Sequence, residues 1–131
     1  MIRPIYSLAA LSMLAGCAAG PTQRRQADQR ALAEARPVGD PADCVDIARI
    51  DHTRVRDERT IDFYMRGRAV YRNRLPGECP GLAFDDAFTY RTSLSRLCSV
   101  DTITVLHTGG GGGPGATCGL GKFQRIETSL R

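Results

Sequence analysis

The chain has no tryptophan, one lysine (Lys122) and only two histidines, His52 and His107, in 131 residues. Nucleophilic or acid–base chemistry built on imidazole would therefore have to use one of those two positions. Asp51 and Asp101 are the nearest orienting acids and Ser93, Ser95 and Ser99 the available hydroxyls, but no catalytic signature joins them. Both histidines read as exposed, Asp101 as a turn-stabilising carboxylate, and the chain as a non-enzyme. A closely spaced cysteine pair is also missing. Cys44, Cys79, Cys98 and Cys118 stand 35, 19 and 20 residues apart, unlike a zinc knuckle, so neither a metal nor another cofactor is expected. The longest apolar run, Ile5 to Leu14, is far short of the roughly 20 residues that a spanning helix needs.

That short run has the length of an export signal, with Arg3 and the amino terminus at its positive end. Leu14-Ala15-Gly16-Cys17 follows it and resembles the lipobox of bacterial lipoproteins. The resemblance implies diacylglycerol on the Cys17 thiol, cleavage of residues 1–16 and acylation of the new amine. An ordinary signal peptide, cut within the small residues Cys17 to Gly20, is the alternative. Each buried methylene of an acyl chain contributes about 0.8 kcal/mol, so several chains would hold the protein on a membrane without help from its surface. Ala18 follows the cysteine, where aspartate would mark inner-membrane retention. By analogy with lipoprotein sorting, the expected location is the outer membrane, facing the periplasm.

With Cys17 assigned to lipid, the other four cysteines form an even set in an oxidising compartment. A domain of this size has a thin margin of apolar burial over chain entropy, and small exported domains commonly add cross-links. Four cysteines allow three pairings. The expectation adopted is Cys79 with Cys98, stapling an excursion between two strands, and Cys44 with Cys118, tying the start of the domain to its last strand.

The basic side of the composition is almost wholly arginine, and the formal net charge is +4. Arg54, Arg56 and Arg59 precede a hairpin that carries Arg66, Arg68, Arg72 and Arg74, with Tyr64 and Tyr71 interleaved. Strand alternation places Arg72 and Arg74 on one face. Guanidinium groups suit phosphate and carboxylate, so the candidate anion-binding set is Arg66, Arg68, Arg72 and Arg74. Lipopolysaccharide, an acidic glycan or an acidic protein would be the partner, and nucleic acid is not expected. The competing reading is a solvated strand face paired with Asp57, Glu58 and Asp62.

Three segments are expected: a lipoprotein signal peptide over 1–16, a lipidated, partly helical tether over 17–43, and a disulfide-linked β domain over 44–131. In the tether, Thr22 can cap a helix that Pro37 ends, and its few apolar residues suggest a solvated spacer. In the domain, Val45, Ile47 and Val55 mark an extended region bent near Asp51 and His52. Ile61, Phe63 and Met65 alternate with Asp62, Tyr64 and Arg66 as a half-buried strand. Arg66-Gly67 turns it back through Ala69 to Leu75, and Pro76-Gly77 stops the second arm. Residues 88–91, 102–106 and 122–126 supply further strands, with a short helical turn over 92–97. The fold class is mainly β, a small antiparallel barrel or sandwich of five to six strands. The glycine run 109–113 lacks the helix and the lysine spacing of a phosphate loop, and reads as a hairpin loop.

Cys44, Thr60-Ile61-Asp62-Phe63, Leu75, Cys79-Pro80-Gly81-Leu82, Leu97-Cys98 with Asp101, and Cys118 with Leu120-Gly121 and Phe123 resemble a family of small uncharacterised proteobacterial envelope proteins. The resemblance spans about residues 44–126 and implies an exported, disulfide-linked domain with no transferable activity. The functional expectation is a non-catalytic structural or binding lipoprotein of the cell envelope. The alternative is a periplasmic inhibitor of an enzyme, and because lysozymes are basic, the positive balance here speaks against that target.

Overall fold

The computed structural model describes residues 20–128, so the expected export signal and Cys17 lie outside the described residues. Extended, β-branched and aromatic segments separated by Gly, Pro and Asp turns give a mainly β fold, as the alternation predicts. Ten strands are assigned among the described residues, against the five or six expected, in three antiparallel sheets with no closed barrel. The arrangement is sandwich-like.

The largest sheet has five strands. It contains β1 (Arg36–Pro37), β3 (Ile50–Asp57), β4 (Thr60–Met65), β5 (Val70–Arg74) and β10 (Phe123–Glu127), in the order β1-β10-β5-β4-β3. A two-stranded sheet pairs β2 (Cys44–Asp46) with β7 (Arg96–Cys98). A three-stranded sheet sets β8 (Thr102–His107) between β6 (Phe88–Tyr90) and β9 (Gly113–Gly119). Two helices complete the described chain: α1 (Pro21–Glu34) and the single-turn α2 (Leu82–Asp85).

The β4–β5 hairpin forms where alternation placed it, with Phe63 opposite Tyr71 and Asp62 opposite Arg72. Gly67 sits in its turn at φ +90°, a conformation open to glycine and costly for other residues. The bend foreseen near Asp51 is a register shift between Ile50 and His52, preceded by a 3₁₀ turn over Ile47–Arg49. The glycine run closes a hairpin, connecting β8 to β9. Residues 92–97 are not helical: Arg96 to Cys98 form β7, because the backbone of Cys44 to Asp46 offers them a strand partner.

Between the sheets lies one core, built from Val45, Val55, Ile61, Phe63, Leu75, Leu82, Leu97, Ile103, Val105, Leu120 and Phe123. Phe63 is central. Its ring meets Phe123 at 5.4 Å and Phe88 at 6.3 Å, both edge to face, the arrangement that ring quadrupoles favour. Buried Asn73 closes one end of the sheet. Its amide donates to the Gly121 carbonyl (2.7 Å) and accepts from the Gly121 N–H (2.8 Å). A side chain at residue 121 would begin 2.1 Å from the Arg74 carbonyl oxygen, so this close approach requires glycine.

The cysteines pair as Cys44–Cys98 and Cys79–Cys118, which corrects the expected connectivity. Strand pairing decides it. Cys44 lies directly opposite Cys98 in the β2–β7 ladder, whereas Cys79, buried in the core, meets Cys118 on β9.

A second correction concerns residues 20–43, which are not a solvated spacer. Helix α1 starts at Pro21 with Gly20 in the capping position, not at Thr22, and it packs against β3 with Asp28 and Ala31 buried. Proline suits the first helical position because its missing N–H is unpaired there anyway. Downstream, Val38 donates to the Arg125 carbonyl (2.9 Å) and Ala42 exchanges backbone bonds with Phe123 (2.8 Å each). Residues 20–43 therefore belong to the folded unit together with the β domain.

The bridges close loops with sequence separations of 54 and 39 residues. In the chain-entropy account each contributes about 4 kcal/mol. Non-reducing peptide mapping should recover Cys44 joined to Cys98 and Cys79 joined to Cys118. Replacing Cys79 and Cys118 together by Ser should lower unfolding stability by about 2–5 kcal/mol in urea titration.

Candidate functional site

Three polar constellations stand out, and the first lies where the arginine-rich face was expected. β4 is buried on both sides at its start: Ile61 and Phe63 enter the core, while Asp62, at 0% exposure, lies beneath α1. The expected half-buried strand is therefore corrected, because a helix covers its outer face. Asp62 accepts two hydrogen bonds from Arg72, Nε at 2.7 Å and Nη2 at 2.9 Å, and one from Arg56 Nε at 2.9 Å. Arg56 also donates to Asp28 of α1 (2.7 Å) and to the Tyr64 hydroxyl (2.7 Å). Arg72 reaches the Ala31 carbonyl of the same helix at 3.4 Å. Burial alone would lower the Arg56 pKa, but hydrogen bonds to Asp62 and Asp28 outweigh it and raise the value further.

The proposed anion-binding set is thus divided. Arg72 is buried and committed to Asp62, whereas Arg66, Arg68 and Arg74 remain exposed on the turn and at the end of β5. Alternation correctly relates Arg72 to Arg74, but it carries no information about α1. Of the acidic residues proposed as solvated partners, Asp62 does pair with arginine, in a dry interface and not in solvent.

The second constellation was not foreseen. Asp85 ends α2 with its side chain 4% exposed, and it accepts from His107 Nδ1 at 2.9 Å and from the Thr108 N–H and hydroxyl at 3.1 and 3.3 Å. These bonds, the Thr108 N–H foremost and then His107, hold the Asp85 carboxyl below the usual carboxylate range. The imidazole is 45% exposed, as expected, although one ring nitrogen is held by Asp85. An oriented histidine of this kind can relay a proton, but among the described residues no serine or cysteine bonds it. The sequence signal was weak, since Asp85 and His107 are separated by 22 residues and lie in no motif. His52 does remain exposed, stacked on Tyr64 at 4.4 Å and bonded to Asp51 at 2.7 Å. Asp101 caps its turn as expected, accepting from the Cys98 N–H at 2.7 Å.

The third is a cleft of about 670 Å³ where the chain enters α1, lined by Gly20, Arg24, Arg25, Glu58, Phe84 and Asp86 among others. Arg24 pairs with Asp86. Glu58 Oε2 is buried with no hydrogen-bond partner among the described residues. No group of three or more potential metal ligands occurs among the described residues.

A family of unknown function, DUF6491, matches residues 1–128. The chain belongs to that family. No curated protein and no solved structure matches it.

Two measurements test that chemistry. Removing one partner of a buried ion pair strands the other charge, so Asp62→Ala should cost about 3–5 kcal/mol, whereas Arg74→Ala, at an exposed site, should stay within about 0.5 kcal/mol. Because the folded Asp85 carboxyl titrates below its unfolded value, its stabilisation is present near neutrality and above the unfolded pKa. It is lost as pH falls through the depressed folded value. The stability gap between wild type and Asp85→Asn should accordingly be largest near pH 7 and shrink below about pH 4.

Proposed function

We propose that this DUF6491 protein is a lipid-anchored, non-catalytic module of the bacterial cell envelope, held on the periplasmic side of the outer membrane through Cys17. The observation that carries this reading is the cysteine bookkeeping. The four cysteines of the folded region are consumed in two disulfides, which leaves the fifth at the end of a lipobox-like sequence. Disulfides persist in oxidising compartments, consistent with export. The family match runs through the leader as well as the β domain, consistent with one shared architecture.

A non-catalytic role is supported by how the reactive groups are used. The domain's thiols are oxidised, and the Asp85–His107 pair has Thr108 as its hydroxyl neighbour, already bonded to Asp85. Of the four hairpin arginines Arg72 serves the fold, so anionic envelope material would meet Arg66, Arg68 and Arg74 there.

Expression in a Gram-negative host tests the reading. Wild-type protein should fractionate with membranes and yield an N-terminal peptide beginning at an acylated Cys17. Cys17→Ala should abolish the acylation. An unmodified thiol at residue 17, or retention of residues 1–16 on the mature protein, would overturn the proposal.

A further inference from the structure

Phe84 is 88% exposed, on a helix of one turn whose other large apolar residue, Leu82, is fully buried. A lone exposed aromatic is ordinary on a soluble surface. Its position gives this one meaning. Phe84 borders the same cleft as Gly20 and the first turns of α1, and Gly20 is three residues from Cys17. Three residues of fully extended chain span at most about 11 Å. A membrane holding the acyl chains of Cys17 must therefore lie within that reach of Gly20, and this end of the domain has to face it. The Arg24–Asp86 pair ties the start of α1 to the residue that follows α2, so Phe84 and the chain entry keep a common orientation.

We propose that the end of the domain formed by Phe84 and the start of α1 rests on the bilayer, with Phe84 in the boundary between headgroups and acyl chains and the cleft taking a zwitterionic headgroup. The inference rests on the lipid-anchor reading above. Charge in the cleft argues for the zwitterion: Arg24, Arg25 and Arg56 face Asp28, Glu58 and Asp86, an even balance that a purely anionic surface would not complement. Arg24 and Arg56 are engaged by Asp86 and by Asp28 with Asp62, whereas Arg25 has no ion-pair partner among the described residues. Glu58 Oε2 is likewise an acceptor without a donor. One unpaired group of each sign, the Arg25 guanidinium and the Glu58 carboxylate with its buried Oε2 at the cleft wall, matches a phosphate and an ammonium, and an aromatic ring beside them suits the interfacial depth.

Because the chain contains no tryptophan, Phe84→Trp makes a single-site depth probe in the full-length lipidated protein. Leu94→Trp is the control. Leu94 is 66% exposed in a separate groove lined by Ile47 and Ala48, beside the start of β3, whereas Phe84 shares its cleft with Val55 and Glu58 at the other end. Both variants are reconstituted in vesicles of phosphatidylethanolamine with a minor share of phosphatidylglycerol, brominated near the headgroup end of the acyl chains. Both should float with the vesicles, and Phe84→Trp emission should shift to the blue and be quenched several-fold more than that of Leu94→Trp. Flotation with equal or no quenching of the two would overturn the bilayer-facing surface while leaving the anchor intact. Failure of either variant to float would overturn the anchor itself, and this inference with it. Stronger quenching of Phe84→Trp in phosphatidylglycerol alone than in phosphatidylethanolamine would overturn the zwitterionic assignment.

Discussion

The carboxylate of Asp62, buried against Arg72 and Arg56, is the interaction on which the outer half of this molecule depends. A lone carboxylate at that depth would be prohibitive, and two guanidinium groups with three hydrogen bonds compensate it. Asp28 of α1 then completes the second arginine. The helix has almost no apolar stripe with which to dock, so its attachment is written in charge and hydrogen bonds. Such an interface contributes little net stability compared with an apolar one. It is demanding in geometry, because any slip of the helix would strand a buried charge.

That polar layer and the aromatic core divide the work of β4. Ile61 and Phe63 on one face gather Phe88, Phe123, Leu75 and Val55 between the sheets, and Asp62 on the other gathers the arginines. One disulfide lies within the β2–β7 ladder and cross-links that sheet to itself, whereas the other ties β9 of the three-stranded sheet to the core. Cross-links and core compensate for the small size of the domain, while the charge layer fixes where the helix sits. The consequence for function is subtractive. Arg72 and Arg56, which composition alone would assign to anion recognition, are structural.

Much of the fold was legible in the residues. The period-two run from Ile61 to Arg66, the Gly67 turn and the strands near Phe88, Thr102 and Phe123 all follow from local propensity, which acts within a few residues and leaves its mark in the string. Glycine loop and Asp101 turn were readable for the same reason. β7 was not, because three residues become a strand only when a partner ladder is present. Nor was β9, whose Gly, Pro and Ala content opposes strand formation until β8 lies alongside.

The sequence by itself determined the antiparallel β class and carries the lipobox-like run ending at Cys17, since each is a matter of composition or of spacing along the chain. Tertiary structure alone decided which cysteines meet, that residues 20–43 belong to the folded unit, that Arg72 is buried while Arg74 is not, and that Asp85 orients His107. All of these depend on which surfaces cover one another. The burial of a side chain is set by its neighbours in space, and those neighbours stand tens of residues away: Asp28 is 28 residues from Arg56, and Ala31 is 41 from Arg72.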